Sequence, residues 1–383
     1  MMYMPDFTLY LPTKTVLGLD SLTRLGSLVK PLGTRVLLVT EGVLNEWKHV
    51  DRVEQHLAAS GIQCMTFRDI MSHSTSSAVD QAVSLARSGR IQAVVGLGGV
   101  RALSLAKCTA ALAVSGSNID KHLSGEPFSG PRVPYVEIPS TCRNPFMLGD
   151  TCVVVDARDR QAKFLHTGVF ASAAVIDPAL SLSLSAKLTA TTMLDAFLSA
   201  LEGIISLKNN FVSESLLYQA FKYIVGNVKR AMTELNNLET RFAAAQAGLL
   251  TAMGLSTSMQ GIGSALSHAI SGKLRVPQSS VATVMIPHLL EWAVRICPEK
   301  IAALADAIGE STEGRTLDTA QYLVGYMRHL IASLGLPLRL SDFGIKFGDL
   351  AEIPDIARQF EGVAHLPVPL STEDMFELLK NAY

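Results

Sequence analysis

The segment "GLGGVRALSLAK", residues 96–107, follows the apolar run Ile91–Val95 and reads as a strand that turns on glycine into a helix. Such a turn suits one kind of chemistry. Glycines let backbone amides approach an anion closely, and the helix N-terminus behind them adds its dipole, so the pattern predicts a phosphate seat at Gly98 and Gly99. The next two residues are larger than that seat usually holds: Val100 brings a branched side chain and Arg101 a guanidinium. Arg101 at a helix start offers a charged fork to phosphate, and it equally suits a salt bridge. The five cysteines (Cys64, Cys108, Cys142, Cys152, Cys297) are odd in number, widely spaced and without a Cys-x-x-Cys pattern. Reduced thiols are expected, rather than a disulfide framework or a zinc ribbon.

A chain of 383 residues exceeds one ordinary core and predicts two domains. Apolar residues at 48% against 17% charged supply material for large buried helices. With 33 basic and 34 acidic residues and no long like-charge block, neither nucleic acid nor an anionic membrane is an expected partner. The opening "MMYMPDFTLYLPT" lacks the basic and continuous apolar regions of an export signal. No apolar run approaches the roughly 18 residues that span a bilayer. The expectation is a soluble, cytoplasmic protein.

Residues 34–42, 61–70, 91–99 and 132–141 have strand character, and residues 49–60 and 76–89 have helical apolar spacing. Strict alternation of the two predicts βαβ units and a parallel sheet. Residues 151–164 read as a strand and a turn. After Pro178 the grammar changes, and from about Leu188 nearly every stretch carries apolar residues at three- and four-residue spacing. The predicted domains are residues 1–178, α/β and Rossmann-like, and residues 179–383, all-helical.

Residues 173–202, "AAVIDPALSLSLSAKLTATTMLDAFLSALE", resemble the first signature of the iron-containing alcohol dehydrogenases, through Asp177-Pro178, a helix start, then Asp195, Ala196 and Glu202. Residues 261–280, "GIGSALSHAISGKLRVPQSS", resemble the second signature, and "VMIPHLLEW" (284–292) the segment after it. The glycine run and "VEIPSTCRNPF" (136–146) fall where that family holds its dinucleotide. The resemblance implies an N-terminal Rossmann-like α/β domain with a parallel sheet and an all-α C-terminal domain, the dehydroquinate synthase-like architecture.

In that family one aspartate and three histidines hold iron or zinc, which polarises the alcohol or carbonyl oxygen during hydride transfer. The matching positions here are Asp195, Ser199, Ser264 and Gln278, so only the aspartate is kept. One carboxylate, two hydroxyls and an amide make a poor donor set for metals that favour imidazole and thiolate, and iron or zinc is expected to be absent. His268, one turn after Ser264, matches the histidine that lies beside metal and substrate, and the resemblance implies proton transfer to a substrate oxygen. Its plainer alternative is a satisfied interior histidine.

The cofactor motifs depart as well. Gly98, Gly99, Val100, Arg101 and Ser104 stand where the family has three glycines, a serine and an aspartate; valine disfavours positive φ and fills the glycine's space. Lys107 is kept, as an exposed or capping lysine would be. Ser140 and Thr141 match the next cofactor loop, whereas Cys142 to Met147 replace its small residues, with Arg143 a further anion contact and Cys142 a packed thiol. Glu41 closes "RVLLVTE" where relatives hold an acidic residue near the adenosine ribose, which favours NAD(H) over NADP(H). Three readings stay open: a metal-free oxidoreductase with an altered NAD(P) site, a non-catalytic scaffold, subunit or ligand sensor, and a phosphate-ligand enzyme of other chemistry. Each takes a small-molecule ligand in the cleft between domains, and relatives imply a homodimer or larger assembly.

Overall fold

The computed structural model describes residues 6–70, 74–309 and 315–383. Of the segment read for an export signal, residues 1–5 lie outside that description. The chain forms two compact units, Leu11–Ser183 and Leu184–Tyr383, the latter joined by the chain up to Tyr10.

In the first unit the order is β1 (Lys14–Leu17), α1 (Leu25–Val29), β2 (Arg35–Thr40), α2 (Val43–Glu46), α3 (His49–Ala59) and β3 (Gln63–Phe67). It continues with α4 (Ser76–Ser88), β4 (Ala93–Gly98), α5 (Val100–Leu112), α6 (Ile119–Leu123) and β5 (Tyr135–Pro139). The last strands are β6 (Thr151–Val155), β7 (Ala162–His166) and β8 (Ala173–Ile176). Six strands form one parallel sheet in the order β1-β8-β5-β4-β2-β3, and β6 and β7 form an antiparallel hairpin. Strands covered on both faces need apolar side chains on both. Leu37, Val39 and Val94 belong to one core, while Val36, Leu38, Ala93 and Val95 belong to the other. The chain adds β3 on one side of β2 and β4 on the other. This reversal opens a crevice at the carboxyl ends of β2 and β4, the usual ligand position in such sheets.

The second unit comprises α7 (Ala186–Ile205), α8 (Phe211–Thr233), α9 (Leu238–Leu255), α10 (Ile262–Leu274), α11 (Gln278–Ile296), α12 (Pro298–Ala307), α13 (Thr316–Ser333), α14 (Ile353–Ala357) and α15 (Thr372–Ala382). Ser185 starts α7 by accepting the Leu188 amide. Among the described residues α7 is the one helix long and apolar enough to cross a membrane, and 94% of its apolar window is buried, as in the core helix of a globular unit.

The alternation of strand and helix follows the sequence expectation, with α3 and α4 at the expected positions. Two four-residue strands escape it. β1 and β8 are too short to show a period of two. The units divide at Ser183 rather than at residue 178. The 3₁₀ turn Pro178–Ser183 buries Leu180, and Ser183 Oγ lies 2.9 Å from His49 Nε2, which ties the turn to the α/β unit. At the other end Phe7 packs edge-on against Phe211 at 5.6 Å, which binds the N-terminal arm to the helical unit.

Candidate active site

The positions singled out from sequence fall into two groups of residues, one in each unit. The first surrounds the turn from β4 into α5. Gly98 has φ +147°, and a Cβ there would stand 2.8 Å from Ala102 Cβ, so a side chain is excluded on both counts. A Cβ at Gly99 would meet only Glu41 Oε1 at 3.5 Å and Thr141 Oγ1 at 4.0 Å. The glycine cradle is therefore present. Glu41, at the end of β2, points into it: Oε1 accepts the Gly99 amide at 3.3 Å, and Oε2 accepts Arg101 Nη2 at 2.7 Å. A protein carboxylate thus meets the N-terminus of a 13-residue helix, as an anion does.

Val100 differs from its expectation. It is the first residue of α5, buried, and not among the positive-φ residues, so no strain attaches to it. Ser104 accepts the Val153 amide at 3.1 Å and docks the β6–β7 hairpin. Lys107 is neither exposed nor at a helix cap. At 2% exposure its Nζ donates to the carbonyls of Phe146, Gly149 and Thr151, at 2.8, 2.7 and 3.1 Å. Beside it Glu137, on β5, accepts the Leu148 amide at 3.2 Å. Burial pushes the Glu137 carboxyl up, and the Lys107 charge opposes that. Leu148, at φ +69°, is thereby held in the left-handed region. The loop that replaced the small cofactor residues is pinned from beneath by an internal lysine. Ser140 follows β5, with its amide on the Gly98 carbonyl at 2.9 Å, and Thr141 Oγ1 donates to the Arg143 carbonyl. Cys108 and Cys152, far apart in sequence, have their buried sulfurs 3.1 Å apart. Their hydrogen bond, with burial, pushes the Cys108 thiol well up.

The second group lies in the helical unit. Asp195, Ser199 and Glu202 follow at i, i+4 and i+7 on α7 and so share one face; Ser264 and His268 do the same on α10. Asp195, Ser199 and Ser264 are wholly buried. Gln260, just before α10, connects them. Its Nε2 donates to Ser199 Oγ at 2.8 Å and to Ser264 Oγ at 2.9 Å. Gln278 opens α11, and its Nε2 donates to Asp195 Oδ1 at 3.5 Å. Ser199 gives its own proton to the Asp195 carbonyl at 3.0 Å. The four positions singled out from sequence therefore come together, joined by a glutamine that sequence reasoning missed. Gln260 is not a metal-ligand type and precedes the helix, so no sequence signal marked it.

Glu202 fixes the geometry from below. Its Oε1 accepts the Ser264 amide at 3.0 Å, and a Cβ at Gly263 or Gly261 would come within 3.1 or 3.3 Å of that oxygen. A carboxyl thus caps α10, and small residues allow its approach. Burial raises Glu202 to about 7, against the lowering by the amides of Gly261, Ser264 and Gly263 and the Ser264 hydroxyl. His268 is 6% exposed, its ring 6.4 Å from that of Phe360. His288, from the Pro-His segment, is lowered to about 4 by burial and then by Arg328. Among the described residues no three His, Cys, Asp or Glu side chains are grouped to hold a metal ion.

A parallel α/β unit with a glycine turn at its switch point, followed by a helical unit, is the architecture the two signatures imply. The family described as iron-containing alcohol dehydrogenase matches residues 12–178, and its C-terminal family matches residues 189–383. The chain belongs to the iron-containing alcohol dehydrogenase family. It is 26% identical to the 1,3-propanediol dehydrogenase of Citrobacter freundii, over 98% of this chain and 99% of that one. With the NAD-dependent methanol dehydrogenase of Bacillus methanolicus it shares 22% identity, over 97% and 99%. The crystal structure of a 1,3-propanediol oxidoreductase superposes with a TM-score of 0.93 at 24% identity, covering 99% of this chain and 100% of that one.

Proposed function

We propose that the chain is an NAD(H)-linked oxidoreductase of a small alcohol or aldehyde that works without a transition-metal ion. Gln260 carries this reading. One amide nitrogen donates to the oxygens at two of the four ligand positions, and the amide at a third donates to the carboxylate at the fourth. Iron and zinc require lone pairs converging on one point at about 2.0–2.3 Å, and they favour imidazole or thiolate. Here the two hydroxyl oxygens and Asp195 Oδ1 face N–H donors instead. These residues do not fit iron or zinc.

The nicotinamide supplies or takes the hydride when bound. His268 is the residue assigned to hold the proton of the substrate oxygen, since it lies one turn from Ser264 on the same face of α10. Gln278 Oε1, buried and without a hydrogen-bond partner, is an acceptor for a substrate hydroxyl. The glycine cradle at Gly98 and Gly99 and the NAD-dependence of the methanol dehydrogenase relative support the cofactor. Self-association as a homodimer or larger and a cytoplasmic location belong to the same reading.

Its test is NADH oxidation with a panel of short aldehydes in the presence of chelator. Turnover is expected to persist, and to fall about a hundredfold or more in His268→Gln. Activity abolished by chelator and restored by zinc or iron would overturn the reading. A second reading, a member without catalysis, is favoured by the Glu41 contact in the phosphate seat. It is supported if the folded protein neither binds NADH nor oxidises it.

A further inference from the structure

The turn between β4 and α5 holds an anion that the chain supplies itself. We propose that Glu41 is a tethered competitor for the phosphate seat, so that a diphosphate ligand enters only after the Glu41–Arg101 pair has opened. For the identity of that ligand as NAD(H), the inference rests on the function proposed above. Its geometry stands independently.

An acidic side chain at the end of β2 would be expected to reach ribose hydroxyls, which requires its oxygens to face away from the helix start. Glu41 does the opposite. One oxygen takes the Gly99 amide, the donor a phosphate oxygen would use, and the other takes Arg101. The same oxygen lies 3.3 and 3.5 Å from the Cβ positions that glycine leaves empty at 98 and 99. At Gly98 the absent Cβ makes room for Ala102, but at Gly99 the open space is bordered by this carboxylate. Its side chain is 11% exposed while that of Arg101 is 45% exposed, so the buried partner is the anion and the guanidinium closes over it from the solvent side. A phosphate arriving here meets repulsion from Glu41 and has to displace a charge-assisted bond. Once released, Arg101 turns from the carboxylate to the phosphate. The contact therefore acts as an internal brake on nucleotide binding.

Calorimetric titration of inorganic pyrophosphate, and separately of NADH, tests this on wild type, Glu41→Gln and Glu41→Ala, with thermal unfolding to verify that each is folded. Pyrophosphate is expected to bind Glu41→Ala about tenfold or more tighter than wild type. Glu41→Gln is expected to fall between, because the glutamine carbonyl still accepts the Gly99 amide. Adding Arg101→Ala to Glu41→Ala removes most of the gain. Pyrophosphate binding unchanged or weakened in both single variants overturns the inference. So does NADH binding present in wild type and lost in Glu41→Ala, which makes Glu41 a ribose acceptor and leaves the NAD(H) reading standing. Tighter pyrophosphate without NADH binding in any variant upholds the brake and removes the NAD(H) reading.

Discussion

The glycine turn at α5 and the polar cluster on α7 and α10 have both changed from what the family resemblance implies, in different ways. At the turn the group that meets an anion is a backbone donor. The Gly99 amide and the start of α5 remain, and a side chain has moved in to meet them. In the cluster the donors themselves have changed, and the hydrogen bonds that now join Gln260 to Ser199 and Ser264 involve the same atoms a cation would need. A site made by the fold survives substitution of its neighbours and can be blocked or reopened by one residue. A site made by side chains is lost with them. On the two readings proposed above, the first region reopens with a single substitution, whereas the second needs its whole ligand set rebuilt.

Rebuilding it gives the largest expected effect. Ser199→His, Ser264→His and Gln278→His, combined with Gln260→Gly to make room, should take up about one zinc per chain where wild type takes up little. Elemental analysis after desalting measures this. If the three histidines bind zinc equally well with Gln260 in place, that glutamine does not obstruct the site.

Next in size is the support beneath the altered cofactor loop. Lys107→Met leaves three carbonyls and the buried Glu137 without their cation. It should cost about 3–5 kcal/mol in urea unfolding. A loss under 1 kcal/mol, the range of an exposed ion pair, would show that the lysine is not fixing the loop.

Glu202 offers a pH-dependent contrast. Its carboxyl is raised from 4.5 to about 7 in the folded chain, which there holds a proton that the unfolded chain has released. This contribution is full below pH 4.5 and is lost as pH rises through 7, by about 3 kcal/mol in all. Glu202→Gln should flatten that slope in denaturation curves taken between pH 5 and 8. An unchanged slope would assign the titration to another group. The smallest effect belongs to Gln260→Leu, which leaves the Ser199 and Ser264 oxygens without their donor. It is expected to cost about 1–3 kcal/mol.

The architecture was readable because it rests on local rules: periodicity exposed α3, α4 and the apolar strands. The positions Asp195, Ser199, Ser264 and Gln278 were readable only through the family resemblance of the two signatures that contain them. What the sequence hid depends on contacts between distant residues. Glu41 reaches Arg101 across 60 positions, and nothing in "RVLLVTE" shows whether the carboxylate faces a ribose or a helix start. Lys107 looks like any helix lysine until the loop at 146–151 closes over it. Gln260 belongs to no motif, and only the fold brings its amide between two serines.

We propose that the cluster around Asp195, joined by Gln260 and Gln278, leaves no place for a transition metal. Metal content of the wild-type protein, measured after incubation with zinc or ferrous iron and desalting, tests it most directly. The expected result is well below one ion per chain for both metals. One tightly held ion per chain, released on Asp195→Asn, would contradict it.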